Sequence, residues 1–372
     1  MRGTSSAVLA VAIAAALAAP ASAEAGGITF DQVQYRIAGN QPRPTAFDFE
    51  TDYQRALGSA QKMAASTNAT PEETKRVSRK VAALAGAAFS GQVALGMLQS
   101  SIPGFGSMIA GAAGDAFHSA MLGQLRANAG DAQGMLRNGS LSRYAFNAQG
   151  WERVESPQFN TVVIIKPELH QAIVLDTAHK TWTRRPVSDA ELQSGGAALG
   201  SMLINYSLNS QVAPSLASRT IDGVATSGVT SDATVVASSA SGSCSNGTAR
   251  MLNTVYYANE ISAPALLQAQ DSVSQVVEMP GCVPRINGDV PTDHRLAVVR
   301  ITDVNGGAAD PSNDQGVLKV LQADREAAFG AAGFAKDGGA ETATIVTERG
   351  HIRTLGAEDQ SLFEIPSGYT EK

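Results

Sequence analysis

Residues 161–182 read TVVIIKPELHQAIVLDTAHKTW, two apolar, β-branched runs joined by Pro167-Glu168-Leu169-His170 and closed by a tryptophan. Short runs of this kind between turn formers predict strands. The same texture at 141–147, 151–154, 161–166, 171–176 and 181–185 predicts a meander. Loose alternation of Ile28, Phe30, Val33, Tyr35 and Ile37 predicts an opening strand over 27–37. Further strands are predicted near 217–221, 230–238, 249–259, 296–302, 342–347, 352–355 and 361–365. Helical composition predicts helices over 50–65, 189–208 and 316–332, with 303–314 a loop.

One segment follows a different period. Thr70, Pro71 and Glu73 form a helix start, with a capping hydroxyl, a proline at the first helical position and a glutamate completing the box. Beyond it, Val81, Ala85, Phe89, Val93 and Met97 share one helical face. After a break at 100–104, Phe105, Ile109, Ala113, Phe117, Met121 and Leu125 share another. Gly106, Ala110 and Gly114 form a small-residue seam beside the second row. The pattern predicts an apolar helical hairpin, which has three readings. It is a core pair packed on the sheet, a movable lid over a lipid-sized pocket, or an element docking to a membrane or partner through Lys75, Arg76, Arg79 and Lys80. Gln92, Gln99 and Asp115 oppose a membrane span.

The N-terminus predicts a compartment. Arg2, the apolar stretch 7–19 and Pro20-Ala21-Ser22-Ala23 form a secretory signal over 1–23, leaving 24–372 as a single domain. No lipobox cysteine accompanies it, so the periplasm is the expected location and secretion the alternative. A hydrophobic content of 44% supplies a sizeable core, and a net charge of −6 gives no nucleic-acid footprint. In an oxidising compartment Cys244 and Cys282 are expected to pair. A bridge closing that loop contributes about 4 kcal/mol in the chain-entropy account.

Candidate chemistry changes little. His118, His170, His179, His294 and His351 show no metal-binding spacing, and no Gly-x-Ser-x-Gly elbow is present. The loop from Asp303 through Asn305, Asp310, Asn313 and Asp314 is oxygen-rich but misses the calcium-loop pattern. No enzyme activity, cofactor or metal is expected, while a hydrolase site assembled from distant residues stays open.

The order strand, Ile165-Lys166-Pro167-Glu168-Leu169-His170, strand, Leu175-Asp176-Thr177-Ala178-His179-Lys180-Thr181-Trp182 resembles the central hairpin of periplasmic proteins built like the outer-membrane lipoprotein carriers. Ile221-Asp222-Gly223-Val224-Ala225-Thr226 and the closing Leu362-Phe363-Glu364-Ile365-Pro366-Ser367-Gly368-Tyr369 are similar to segments of uncharacterised relatives of that fold. The resemblance covers residues 140–259 and 296–372. It implies an α+β fold, a curved antiparallel sheet or half-barrel with helices on its concave face. This chain departs from the compact carriers in its helical insert at about 50–136. The expected function is non-enzymatic binding or carriage of an apolar ligand, a lipid or acyl chain. The candidate lining is Val163, Ile165, Ile173, Leu175 and Trp182 of the ribbon, with Phe89, Phe105 and Phe117 of the hairpin. The alternative is an envelope interaction protein whose hairpin docks to a membrane surface or protein partner.

Overall fold

The structure, a computed structural model, describes residues 27–38, 48–65, 139–187, 200–209, 216–238, 247–265, 267–268, 282–287, 293–304, 317–331 and 343–372. Among them fourteen strands form one sheet. They are β1 (Ile28–Ala38), β2 (Ser140–Phe146), β3 (Glu152–Ser156), β4 (Thr161–Lys166), β5 (Gln171–Asp176), β6 (Thr181–Pro186) and β7 (Gly200–Asn209). After these come β8 (Leu216–Ile221), β9 (Val224–Ser238), β10 (Gly247–Ser262), β11 (Cys282–Asn287), β12 (Arg295–Val304), β13 (Ala343–Thr354) and β14 (Thr370–Glu371). The longer helices are α1 (Phe49–Ala65) and α2 (Val317–Ala331). The chain is therefore α+β, mostly a large open sheet with few helices.

Strand order is β11-β7-β9-β10-β12-β13-β1-β2-β3-β4-β5-β6-β14, with β8 beside β9. Pairing is antiparallel except for β11 on β7 and β14 on β6. The meander from β3 to β6 follows from local turn chemistry. Pro157 and Pro167 each open a 3₁₀ turn, and Asn160 (φ 51°) and His170 (φ 46°) close them in the left-handed region. Helix α1 is started by Asp48, whose Oδ1 accepts the Thr51 N–H at 3.0 Å.

Side chains alternate across a strand, so register assigns each to a face. One face bears the helices. Tyr53 of α1 donates to Glu155 of β3 at 2.6 Å, and Arg143 of β2 reaches Glu50 of α1 at 3.2 Å. Arg325 of α2 is hydrogen-bonded to Asp303 of β12, whose other oxygen accepts from Thr344 of β13 at 2.8 Å. Farther along, the buried Phe363 packs with Val162, Ile164, Ile173 and Leu175. The side chains on the opposite face of these central strands are also withdrawn from water, including Phe30, Tyr144, Phe146, Val163, Ile165, Asn253 and Arg349.

Several sequence expectations are corrected. The helix expected over 189–208 is not formed where it is described, because 200–209 is β7. The strand expected over 361–365 is instead the end of a 3₁₀ turn, Ala357–Phe363. Here the Asp359 carboxylate accepts the Gly356 N–H at 2.8 Å and winds the chain. The two strands expected at 342–347 and 352–355 are one strand, β13, with a bulge. The helix start at Thr70, both hairpin rows at 81–125, and Cys244 of the expected disulfide lie outside the described residues.

Candidate functional site

The ribbon that opens the meander does not present one wall. Register pairs Val163 with Val174 and Ile165 with Ala172, whereas Ile173 pairs with Ile164 and Leu175 with Val162 and Trp182. Val163 and Ile165 therefore lie on the face away from the helices. Ile173, Leu175 and Trp182 lie on the other, against Phe363 and its neighbours Leu362, Ile365 and Tyr369. Those three are committed to holding the C-terminal segment. Phe89, Phe105 and Phe117 lie outside the described residues.

On the face of Val163 and Ile165 an apolar ladder crosses five adjacent strands. Phe30 of β1 stacks on Tyr144 at 5.1 Å between ring centroids and lies 6.1 Å from Phe146, both on β2. Tyr144 pairs with Val154 of β3, which pairs with Val163 of β4, and Ile165 pairs with Ala172 of β5. All are buried. Four inter-strand spacings make the ladder about 19 Å long. Aromatic stacking and β-branched packing hold such a ladder together, and the buried Glu152 of β3, paired with Phe146 and Ile165, sits within it.

Next to the ladder, the same face turns polar. Gln32 of β1 pairs with Arg349 of β13, and the Arg349 Nε–H donates to Gln32 Oε1 at 2.8 Å. A second N–H of Arg349 reaches the Ala297 carbonyl at 2.9 Å, and its guanidinium lies 5.4 Å from the Phe30 ring centroid. Arg300 of β12, paired with Thr347 and Val255, follows, then Thr302 paired with Asn253 of β10. The Thr302 hydroxyl donates to Asn253 Oδ1 at 2.8 Å. Sequence reasoning missed this belt, because isolated polar residues in strands read as solvent positions.

The helix-bearing face holds a second cluster. Asp31 is buried and accepts from Arg143 Nε at 2.7 Å, and its Oδ2 lies 2.9 Å from His351 Nδ1. The Asp31 carboxylate beside it holds the Arg143 guanidinium above its ordinary pKa. His351 sits at the β13 bulge with φ 52°, and its backbone N–H donates to Asp222 Oδ2 at 2.6 Å. Gly350 makes this approach feasible, since a Cβ there would meet Asp222 Oδ2 at 2.7 Å. The tip of the β8–β9 hairpin is thereby tied to the bulge. Burial, with Glu155 alongside, pushes the Tyr53 hydroxyl pKa well up, so it stays a donor.

Other candidates are accounted for. Asp303, first residue of the oxygen-rich loop, is engaged by Arg325 and Thr344. His179 Nδ1 lies 2.7 Å from Asp176, and His294 Nδ1 3.0 Å from Gln268. Among the described residues no group of three or more histidine, cysteine, aspartate or glutamate side chains could hold a metal ion. Among them, too, no helix is long and apolar enough to cross a membrane. No family model, curated protein or solved structure matches the chain.

Proposed function

We propose that the chain is a periplasmic, non-enzymatic binding or carrier protein for an apolar ligand, a lipid or acyl chain. In this reading the sheet is a half-barrel, and the ligand lies along the ladder of Phe30, Tyr144, Phe146, Val154, Val163 and Ile165. The observation that carries the reading is the ladder itself. It is a long, mostly apolar strip on the face opposite α1 and α2, interrupted by the buried Glu152 between Phe146 and Ile165, and such a largely apolar lining suits an apolar ligand. Support for the curl comes from Asp222 and His351. Their strands flank β10 and β12, a separation of about 14 Å in a flat sheet, yet Asp222 Oδ2 and the His351 nitrogen are 2.6 Å apart.

The test begins with the protein purified without detergent, extracted with organic solvent and examined by mass spectrometry for co-purifying lipid. A fluorescent fatty acid then measures affinity. Truncating Val163 and Ile165 together to alanine removes several methylene groups from the ladder and is expected to weaken binding about tenfold. Ile173→Ala, on the other face, is expected to lower stability and leave affinity unchanged. An empty extract with no probe binding, or equal weakening by Ile173→Ala, refutes the reading.

A further inference from the structure

We propose that His351 is a general base for hydrolysis of an uncharged carboxylic ester, with Asp31 as its positioning residue. This is a second activity beyond carriage. The ladder needs no chemistry, and the dyad lies on the other, helix-bearing face.

The backbone aims His351. Thr29 pairs with Arg353 and Asp31 with Gly350, so His351 and Ile352 together oppose the single Phe30. Such a bulge re-aims a side chain and is over-represented next to active sites. Among the described residues five non-glycine residues have positive φ. Asn160, His170, Lys180 and Asp222 sit at turns, whereas His351, at φ 52°, lies inside strand β13. Holding a histidine there costs stability, and strain of this kind gathers at functional sites.

Hydrogen bonds then orient the ring. Its Nδ1 lies 2.9 Å from Oδ2 of the buried Asp31. Both Asp31 oxygens accept from Arg143, at 2.7 and 3.2 Å, which fixes the carboxylate. As an acceptor Asp31 keeps the proton on Nδ1 and leaves the Nε2 lone pair to take one. The ring packs on Phe49 at 5.6 Å between centroids, yet 57% of the side chain is exposed. Among the described residues Nε2 has no hydrogen-bond partner.

In the reaction a water oxygen attacks the ester carbonyl as its proton passes to Nε2, and Asp31 stabilises the imidazolium. The tetrahedral adduct then breaks its acyl–oxygen bond. Nε2 returns the proton to the departing alkoxide, so ester and water become acid and alcohol. Charge selects the substrate. Asp222 accepts the His351 N–H at 2.6 Å, Asp48 lies within electrostatic reach of the imidazole, and Glu50 contacts Arg143. With Asp31 these carboxylates outweigh the charge of Arg143, which repels anions and admits an uncharged ester.

The assay follows hydrolysis of methyl 4-acetoxybenzoate and of its anionic counterpart, 4-acetoxybenzoate, each corrected for buffer. His351→Asn keeps the backbone N–H and tolerates positive φ. It is expected to lower the rate on the methyl ester about a hundredfold, the lower end for a general base. In Asp31→Asn, Arg143 claims the amide oxygen and the amide NH₂ faces Nδ1. Its kcat is expected to fall with KM within about twofold, and long-range proton–nitrogen NMR is expected to show the His351 proton moved from Nδ1 to Nε2. His179 is the control, 55% exposed with Nδ1 2.7 Å from Asp176. His179→Asn is expected to leave the rate unchanged. No hydrolysis above buffer, equal loss in His179→Asn, or a proton on Nε2 in the parent refutes the general base. Equal rates on the two esters overturn the substrate class. None of these outcomes bears on lipid binding at the ladder, and failed lipid binding leaves this dyad standing.

Discussion

Replacing Arg325 with methionine probes how α2 is pinned to the sheet. The Arg325 and Asp303 side chains are each only 10% exposed. Arg325 also reaches Thr254 Oγ1 at 3.3 Å, and its guanidinium lies 5.5 Å from the Phe329 ring centroid. Methionine preserves most of the apolar packing of the arginine stem but leaves the Asp303 carboxylate with Thr344 as its remaining named donor. Removing one partner of a buried ion pair costs about 3–5 kcal/mol, and the surviving Thr344 bond places this case near the lower end. In urea that corresponds to a midpoint lowered by about 1 M with the slope unchanged. Changing Asp303 to asparagine in the same molecule removes the uncompensated charge and keeps an acceptor for Thr344. The double variant is therefore expected to recover about half of the loss, a coupling of about 2 kcal/mol between neighbours in one network. The assay is a double-mutant cycle by urea denaturation. A loss under about 1 kcal/mol for Arg325→Met, or single effects that add to the double within about 0.5 kcal/mol, would refute the claim that this pair is desolvated and mutually dependent.

Two further predictions follow from the C-terminal segment. Phe363→Ala empties a fully buried site between Ile164 and Leu175 and is expected to cost about 3–5 kcal/mol; an urea midpoint within error of the parent would show that the segment does not depend on it. The Arg353 guanidinium, with the Gly356 N–H, depresses the Asp359 pKa to about 2. A depressed carboxylate stabilises the fold above its unfolded value, and that stabilisation fades as pH falls through the folded value. Melting temperatures of Asp359→Asn are accordingly expected to fall less steeply than the parent's between pH about 4 and 2; parallel acid limbs would refute the assignment.

The meander was legible because its instructions are local. Proline opens each 3₁₀ turn, a left-handed residue closes it, and β-branched runs lie between them. Strand β7 was not, since Met202, Ile204, Tyr206 and Leu208 alternate within a stretch whose composition also suits a helix. Strand β11 contains Pro284, which argues against a strand until its place at the sheet edge is known. The 3₁₀ turn ending at Phe363 carried a missed signal, Asp359 three residues after Gly356. Face assignment for Val163 and Ile165 against Ile173 and Leu175 needed the strand register. The contact between Asp31 and His351 joins residues 320 apart, and the belt of Gln32, Arg349, Arg300 and Asn253 spans four strands. No local pattern encodes either.

The place of β1 has a consequence for how the molecule is made. It is the first described strand in the chain, yet it lies mid-sheet between β2 and β13. Loop closure between β1 and β13 spans some 300 residues, and such pairings form slowly because chain entropy is lost before contacts compensate. A nascent chain lacking residues 343–354 would hold two raw strand edges, on β12 and on β1, each a template for a neighbouring molecule. The seam between β1 and β12 therefore closes only once residues 343–354 are present to fill it, and until then both edges stay open to pairing between molecules.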